Sequence, residues 1–276
     1  MKVCIPGAGV WARGISGFAD LRQLARGGEL PDVEFSAPKP EAISARERRR
    51  AGLTINLAVA VAHEACEVAG VDKAQVPSVF ASAMGDTEIT DYMCRKLCQG
   101  EKLLSPTKFH NSVHNAPSGY WSISAENRAP STFVAGYRES FGAGMLEAVS
   151  QMQATQQPVL LVAYDIQDQA PLEHVTPIAQ SLACALVIAP EGWAQTHTGA
   201  LTNCAEIALV AGEVVADSPQ APGLVELAGG NPMGIGLTLL ERLVAVQDGG
   251  AVEAQIRVPA AGRLWLDVRL GPGPSV

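Results

Sequence analysis

Short apolar runs alternate with amphipathic stretches along this chain, and the alternation predicts an α/β fold. Residues 1 to 40 are rich in Gly and Pro and weakly periodic. They hold one short helix in "GISGFADLRQLARGG" and a linker-like stretch, "PDVEFSAPKPEAI". In "SARERRRAGLTINLAVAVAHEACEVAG", Leu53, Leu57, Ala60, Val61, Ala65 and Val68 recur at helical spacing. Ser44 and Glu47 form a capping box at the start and Gly70 stops the helix. "PSVFASAMGD" reads as a buried strand, and "TEITDYMCRKLCQG" as the helix after it.

"LLSPTKFHNSVHNAPSGYWSISAEN" is a loop and a helix, "APSTFVAG" a second buried strand, "ESFGAGMLEAVSQMQA" a helix and "PVLLVAYD" a third buried strand. After a polar loop at 166–180 come two more strands, "ACALVIAP" and "CAEIALVAG". "NPMGIGLTLLERLVAVQDGG" is a helix with Asn231 at its start, and "AVEAQIRV" and "RLWLDVRL" form a closing pair of strands. Buried strands alternating with helices predict a mostly parallel, covered sheet.

Composition narrows the function classes. The chain has 276 residues, 47% hydrophobic and 17% charged, enough for a sizeable core. A net charge of −8 gives no general attraction to nucleic acid. The longest apolar helical run, Ile55 to Ala62, is far short of the roughly 20 residues that span a bilayer. With no signal-like segment at the N-terminus, the expectation is a cytoplasmic protein with no membrane span. The six cysteines, Cys4, Cys66, Cys94, Cys98, Cys184 and Cys204, form no CxxC pair and read as reduced packing thiols.

The stretch "TFVAGYRESFGAGMLEAVSQM" reads as strand, turn and helix, the setting in which enzymes place a nucleophile. Its tip offers Tyr137, Arg138, Glu139 and Ser140. Ser140 lacks the first glycine of a G-x-S-x-G elbow, because Arg138 stands there, and the bland reading is a helix cap. His110 and His114 are four apart, which suits one helix face, but no H-E-x-x-H pattern or third ligand supports a metal. "AGGNPMGIG" lacks the lysine of a phosphate loop. The basic run Arg46 to Arg50 suits a solvated helical turn or contact with an acidic carrier.

Motif order says more than any single motif. "RERRRAGLTINLAVAVAHEACEVAG", "VFASAMGDTEITDYMCRKL", "SPTKFHNSVHNAPSGYWSI", "STFVAGYRESFGAGMLEA" and "VLLVAYD" together resemble the N-terminal half of a β-ketoacyl synthase. The similarity covers roughly residues 40 to 190 and includes short ketosynthase-like proteins of the chain-length-factor type. It implies a thiolase-like layered αβαβα fold in one domain, with a complete first half (1–195) and an abbreviated second half (196–276).

The resemblance also implies that the elbow is the acyl-transfer site, which carries cysteine in active enzymes. Aligning "GMLEA" puts Arg138 there, and a shift of two puts Ser140 there. The catalytic histidines of the second half have no counterpart, since the last histidine is His197 and Asn231 cannot replace that set. The expectation is therefore a non-catalytic subunit, with no cofactor and no metal. It would pair with an active ketosynthase, or with itself, and meet an acyl carrier protein. "STFVAG" is then the dimer strand. Phe109, His110, His114, Asn115, Phe133 and Phe141 wall a tunnel or the interface, against ordinary core packing for each aromatic. Two other readings stand beside it: an acyl-transfer enzyme using Ser140 with His110 or His114 as base, and a homodimeric binding module for acyl chains or a carrier.

Overall fold

The computed structural model describes residues 1–101, 103–168, 171–174, 178–193, 203–249 and 253–272. Eight strands form one sheet in the order β3-β2-β4-β5-β1-β6-β8-β7. They are β1 (Lys2–Ala12), β2 (Ser78–Ala81), β3 (Ser131–Val134), β4 (Val159–Asp165), β5 (Leu182–Pro190), β6 (Asn203–Ala211), β7 (Ala254–Ala261) and β8 (Leu264–Pro272). Only β2–β3 and β2–β4 pair in parallel, and the other described ladders are antiparallel. The mostly parallel sheet expected from the alternation is thus corrected. A βαβ crossover joins β2 to β3 and β3 to β4, but β5 returns beside β4, and the chain after β5 proceeds largely by hairpins.

The central strand is β1, in a segment whose weak periodicity predicts no strand. Its residues 2–5 pair with β6, and residues 3, 4 and 7–12 with β5, with a register shift between Cys4 and Gly7. Pro6 sits in that irregularity, where the loss of a ladder N–H is tolerated. The shift flips the parity of the strand. Val3 and Ile5 before it, and Ala8, Val10 and Ala12 after it, all enter the same core.

Alternation then places two cores on opposite faces of the first sheet limb. One holds Phe80, Leu160, Val162, Tyr164, Ala183 and Ala185, packed against α3 (Leu53–Ala69) and α6 (Ala116–Ser124). The other holds Leu161, Ala163, Cys184 and Leu186. It is shared with α1 (Phe18–Ala25), α7 (Ser140–Thr155), α8 (Pro222–Ala228) and α9 (Gly234–Gln247). Ile256 and Val258 of β7 and Leu266 and Val268 of β8 line that same second core. Helix α7 touches both β4 and β7, so the sheet curls around it. The result is a helix layer, a sheet limb, a helix layer and a second sheet limb, the layered thiolase-like ketosynthase fold.

Three local expectations change. The helix expected from Ser44 to Gly70 is two, α2 (Ala45–Arg48) and α3, broken by Arg49–Gly52. Gly52 is held there by close approach, since a Cβ on it would stand 2.6 Å from Asp86 Oδ2. The forward half of the capping box is present, with Ser44 Oγ accepting from the Glu47 N–H at 3.3 Å, and Glu47 Oε2 accepts at 2.9 Å from the Ser44 hydroxyl rather than from its backbone N–H. Strand β3 lies at the sheet edge and is half-exposed rather than buried. Cys94 and Cys98, on α4 (Thr87–Cys98), are exposed; Cys4, Cys66 and Cys184 are the packing thiols.

Candidate functional site

The parallel strands β2, β3 and β4 end together, with Ala81 opposite both Val134 and Ala163. Their carboxyl ends deliver three loops to one place, the usual position for a site in such a sheet. The first loop, Ser82 to Asp86, is organised by a residue the motifs did not single out. Asp165, fully buried at the end of β4, accepts from Ser82 Oγ at 2.7 Å and from the Ala83 and Met84 N–H groups at 3.1 Å. Burial raises its carboxyl to about 6 against these donors. The signal in the sequence is an acidic residue closing the otherwise apolar "PVLLVAYD".

Asp86 closes the loop by capping α4. It accepts from the Ile89 N–H at 2.9 Å and from Thr54 Oγ1 at 3.0 Å. His114 lies over Gly85, whose φ of 65° leaves room only for a glycine against the imidazole. The same ring meets Phe133 of β3 edge-on at 5.2 Å, and burial lowers its pKa.

The second loop is the elbow. Tyr137–Glu139 form a 3-10 turn between Gly136 and α7. Tyr137 has φ 53°, a left-handed position that costs a residue with a side chain about 1–3 kcal/mol. Ser140 holds this strained turn closed. Its buried Oγ accepts from the Gly136 N–H at 2.9 Å and donates to the Tyr137 carbonyl at 2.7 Å. It therefore binds back into the turn rather than capping α7 forward; Glu139 is the N-cap, and its carboxylate accepts from the Gly262 N–H at 2.6 Å. The hydroxyl proton is committed to a carbonyl, and no histidine is among the partners of Ser140 in the described residues. A nucleophile needs a base in that position.

Arg138 projects beside Tyr137, with its guanidinium 5.6 Å from the ring centre. It lies on the wall of two adjoining cavities, about 220 and 620 Å³. No thiol stands at this turn. The nearby Cys184, which crowds Gly236 together with the Phe141 ring, is pushed up to about 12 by burial and is inert.

The third contribution comes from the loop before α9. Asn231 Nδ2 donates to the Gln180 carbonyl at 2.8 Å and the Asp165 carbonyl at 3.4 Å, and its Oδ1 accepts from the Met233 N–H at 2.8 Å. All its capacity is spent tying the second half to the end of β4. His197 and the expected boundary at 195/196 lie outside the described residues.

The residues expected to wall a tunnel or interface separate into two groups. Phe109 and His110 are exposed on α5 (Pro106–Asn111), Asn115 is exposed between α5 and α6, His114 beside it is exposed on one side with its ring packed on Gly85 and Phe133 on the other, and Phe133 is half-buried on the edge strand. Phe141 belongs to the core between α7, β5 and α9, at 1% exposure. His110 and His114 do not share a helix face, because α5 ends at Asn111. No cluster of three metal-ligating side chains occurs among the described residues, and no helix there is long and apolar enough to cross a membrane.

Comparisons with known proteins match this architecture. The chain superposes on a ketosynthase in complex with its chain length factor from Xenorhabdus doucetiae, with a TM-score of 0.67 and 19% identity over 98% of this chain and 99% of that one. It is similar to the ishigamide ketosynthase/chain length factor, at a TM-score of 0.72 and 14% identity over 99% and 100%. A beta-ketoacyl synthase from Burkholderia phymatum STM815 matches at 0.70 and 9% over 98% and 99%. A search of curated proteins returns no match. The model of the beta-ketoacyl synthase N-terminal domain matches residues 25–221, most of the chain. With that match and the shared fold, this chain belongs to the beta-ketoacyl synthase family.

Proposed function

We propose that the chain is a non-catalytic ketosynthase subunit that pairs with an active ketosynthase and limits the acyl chain grown on a carrier protein. The observation that carries this reading is the elbow. It has a strained turn between strand and helix but offers no thiol, and its serine hydroxyl is locked to Gly136 and Tyr137. Two structural neighbours are complexes of a ketosynthase with a chain length factor, and a third is a ketosynthase with its acyl carrier protein.

The surface supports pairing. Strand β3 has an unpaired outer edge among the described strands, which invites a partner strand. Leu97, Leu103, Phe109, Val113, Ile123 and Tyr137 are exposed within one stretch of chain that flanks it. A contiguous patch of such groups would suit a partner surface. Arg46, Arg49 and Arg50 are exposed and suit an acidic carrier.

The test is co-expression with a candidate active ketosynthase. The expected result is a single co-eluting complex whose products change in length when this chain is omitted. Separate elution with unchanged products refutes the reading. A native mass showing a stable dimer of this chain alone supports the homodimeric binding module instead.

A further inference from the structure

Two of the six thiols face each other across a ladder. Strands β1 and β6 run antiparallel with Lys2 opposite Glu206, Val3 opposite Ala205, Cys4 opposite Cys204 and Ile5 opposite Asn203. Residues directly opposite in such a ladder point their side chains to the same face. The hydrogen bonds fix which kind of pair this is. Met1 and Ile207, one step before Lys2 and Glu206, exchange both bonds: the Met1 nitrogen donates to the Ile207 carbonyl and the Ile207 N–H to the Met1 carbonyl, each at 2.7 Å. Hydrogen-bonded and non-hydrogen-bonded pairs alternate along an antiparallel ladder. Three steps on, Cys4 and Cys204 are therefore a non-hydrogen-bonded pair, the closer kind, with Cα atoms about 4.5 Å apart. That separation lies just inside the roughly 4.4–6.8 Å that a disulfide spans.

The other thiols are not so placed. Cys184 stands opposite Val10 and Ala163, and Cys66 lies on α3. Cys94 and Cys98 are one turn apart on α4, where Cβ atoms are about 5–6 Å apart, beyond the roughly 3.5–4.5 Å of a disulfide. Access to the cross-strand pair is one-sided. Cys4 is at 0% exposure, whereas Cys204 is half-buried and lines a cavity of about 250 Å³ with Lys2, Glu191, Glu206, Glu253 and Arg269. A reagent in that cavity therefore meets Cys204 first. Burial, then the Glu191 charge, holds the Cys204 thiol above its usual pKa against the opposing pull of Lys2, so its reaction quickens as pH rises.

We propose that Cys204 and Cys4 form a thiol–disulfide exchange site, closed to an internal disulfide by a small-molecule disulfide such as oxidised glutathione and reopened by a dithiol. The Cys204 thiolate attacks one sulfur of the oxidant and expels one glutathione thiolate. The Cys4 thiolate then attacks Cys204 Sγ in the mixed disulfide and expels the second. The two protein thiols lose two electrons to the oxidant, and their two protons end on the two glutathione molecules. The new bond ties β1 to β6, the ladder that joins the β3-β2-β4-β5-β1 limb to β6-β8-β7. Its span at the short end of the allowed range keeps it reducible. The proposal concerns the chain alone and does not rest on pairing with a synthase.

It is tested on the full chain, reduced and then treated with oxidised glutathione, with Cys94→Ser and Cys98→Ser removing the exposed thiols. Intact mass and peptide mapping read the product. The expected result is a loss of two hydrogens, a linked pair of peptides holding Cys4 and Cys204, and no glutathione retained. The thermal midpoint is expected to rise by at least about 5 °C, because the bond closes a very long loop, and to return with dithiothreitol. In Cys4→Ser one glutathionyl group stays on Cys204 and the midpoint does not rise. A Cys204–glutathione adduct that persists in the chain with Cys4 intact overturns the site, and so does a link that forms only in urea. Cys204→Ser, at the more exposed position, keeps the test alive if Cys4→Ser does not fold: no adduct is expected on Cys4, and one found there overturns Cys204 as the point of entry.

Discussion

Gly142 sits in the first turns of α7, where the elbow helix meets the second sheet limb, and its replacement by alanine has a calculable consequence. A Cβ there would stand 1.9 Å from the Pro259 carbonyl oxygen, 2.7 Å from the carbonyl carbon and 3.0 Å from Ala260 Cα. Ordinary contact begins near 3.4 Å, so β7 must retreat by roughly 1.5 Å along that line. The obstacle is backbone, and β7 is fixed by its ladder to β8, so no flexible side chain can give way. Retreat would also part Ile256 and Val258 from the core they share with Phe141 and Met145. Overpacking of this kind costs about 1–3 kcal/mol, and an obstacle made of backbone, which has no rotamer to change, lies at the upper end. Alanine recovers up to about 1 kcal/mol of helix propensity, leaving a net loss of about 2 kcal/mol.

The control is the same substitution at Gly119, exposed in α6, where a Cβ meets nothing within 4 Å. There only the propensity gain remains, about 0.5–1 kcal/mol of stabilisation. Urea denaturation measures both, with unchanged m-values required for the comparison. If Gly142→Ala is as stable as the parent, α7 does not pack against β7 as described, and the curled sheet is wrong.

Three further outcomes follow from the site and its surroundings. Ser140→Ala leaves the Gly136 N–H and the Tyr137 carbonyl without their partner and is expected to lower stability by about 1–2 kcal/mol, while covalent acylation by a carrier thioester, read by mass spectrometry, is absent in parent and variant alike; acylation of the parent that vanishes in the variant would restore Ser140 as a nucleophile. The Asp165 carboxyl is expected to titrate near 6 rather than 3.8 by carbon NMR. Because the folded value is raised, its contribution to stability is present below 3.8 and is lost as pH rises through about 6, so Asp165→Asn is expected to flatten that part of the stability profile. His63 is lowered to about 4, first by burial and then by the Lys73 charge, so the fold prefers the neutral ring. The His63 contribution to stability is expected to be full above pH 6.5 and to fall as pH drops toward 4; it is read in the Asp165→Asn background, where the opposing slope is removed, and urea midpoints there that do not change between pH 7 and 5 contradict it.

The sequence pattern located most helices and strands because their residues serve one core at one period. It failed at β1, where two different demands share the same residues. Gly7 and Gly9 look like a loop, yet a Cβ on either would stand 2.2 Å from the Ala65 carbonyl or 2.3 Å from the Val61 carbonyl. They are glycine because α3 lies directly on the strand, a packing requirement that local composition cannot distinguish from a turn. The Pro6 irregularity then splits the apolar alternation into two short runs of opposite parity. Glu64 was equally hidden. It reads as a solvated helix position, but its carboxylate accepts from the Val10 and Phe18 N–H groups across more than 40 residues of chain.

At the elbow the strand, the turn and the start of α7 were legible, and so was the lack of a thiol. The closure of Ser140 onto Gly136 was not, because a serine before a helix has the same residue pattern whether it caps forward or binds back.

The second sheet limb raises the question of what covers its outer face, since no described helix does. The ladders supply the answer. Facing outward in register are Glu206 and Arg269 on β6 and β8, with Gln255 next to Arg269 on β7. One step along, Asp267 stands between Ala208 and Arg257. Asp267 accepts from Gln255 Nε2 at 2.6 Å and Arg269 at 3.2 Å, and Arg257 is held by Asp217. Opposite charges placed across neighbouring strands stabilise a solvated sheet surface by about 0.2–1 kcal/mol per pair. An apolar face would have required a further helix layer, whereas this one exposes Glu206, Gln255, Arg257 and Arg269, with Asp267 bonded beneath them to Gln255 and Arg269. The limb therefore needs helices only on its inner side, and that inner side is where Gly142 meets the Pro259 backbone and Gly236 meets the Cys184 and Phe141 side chains.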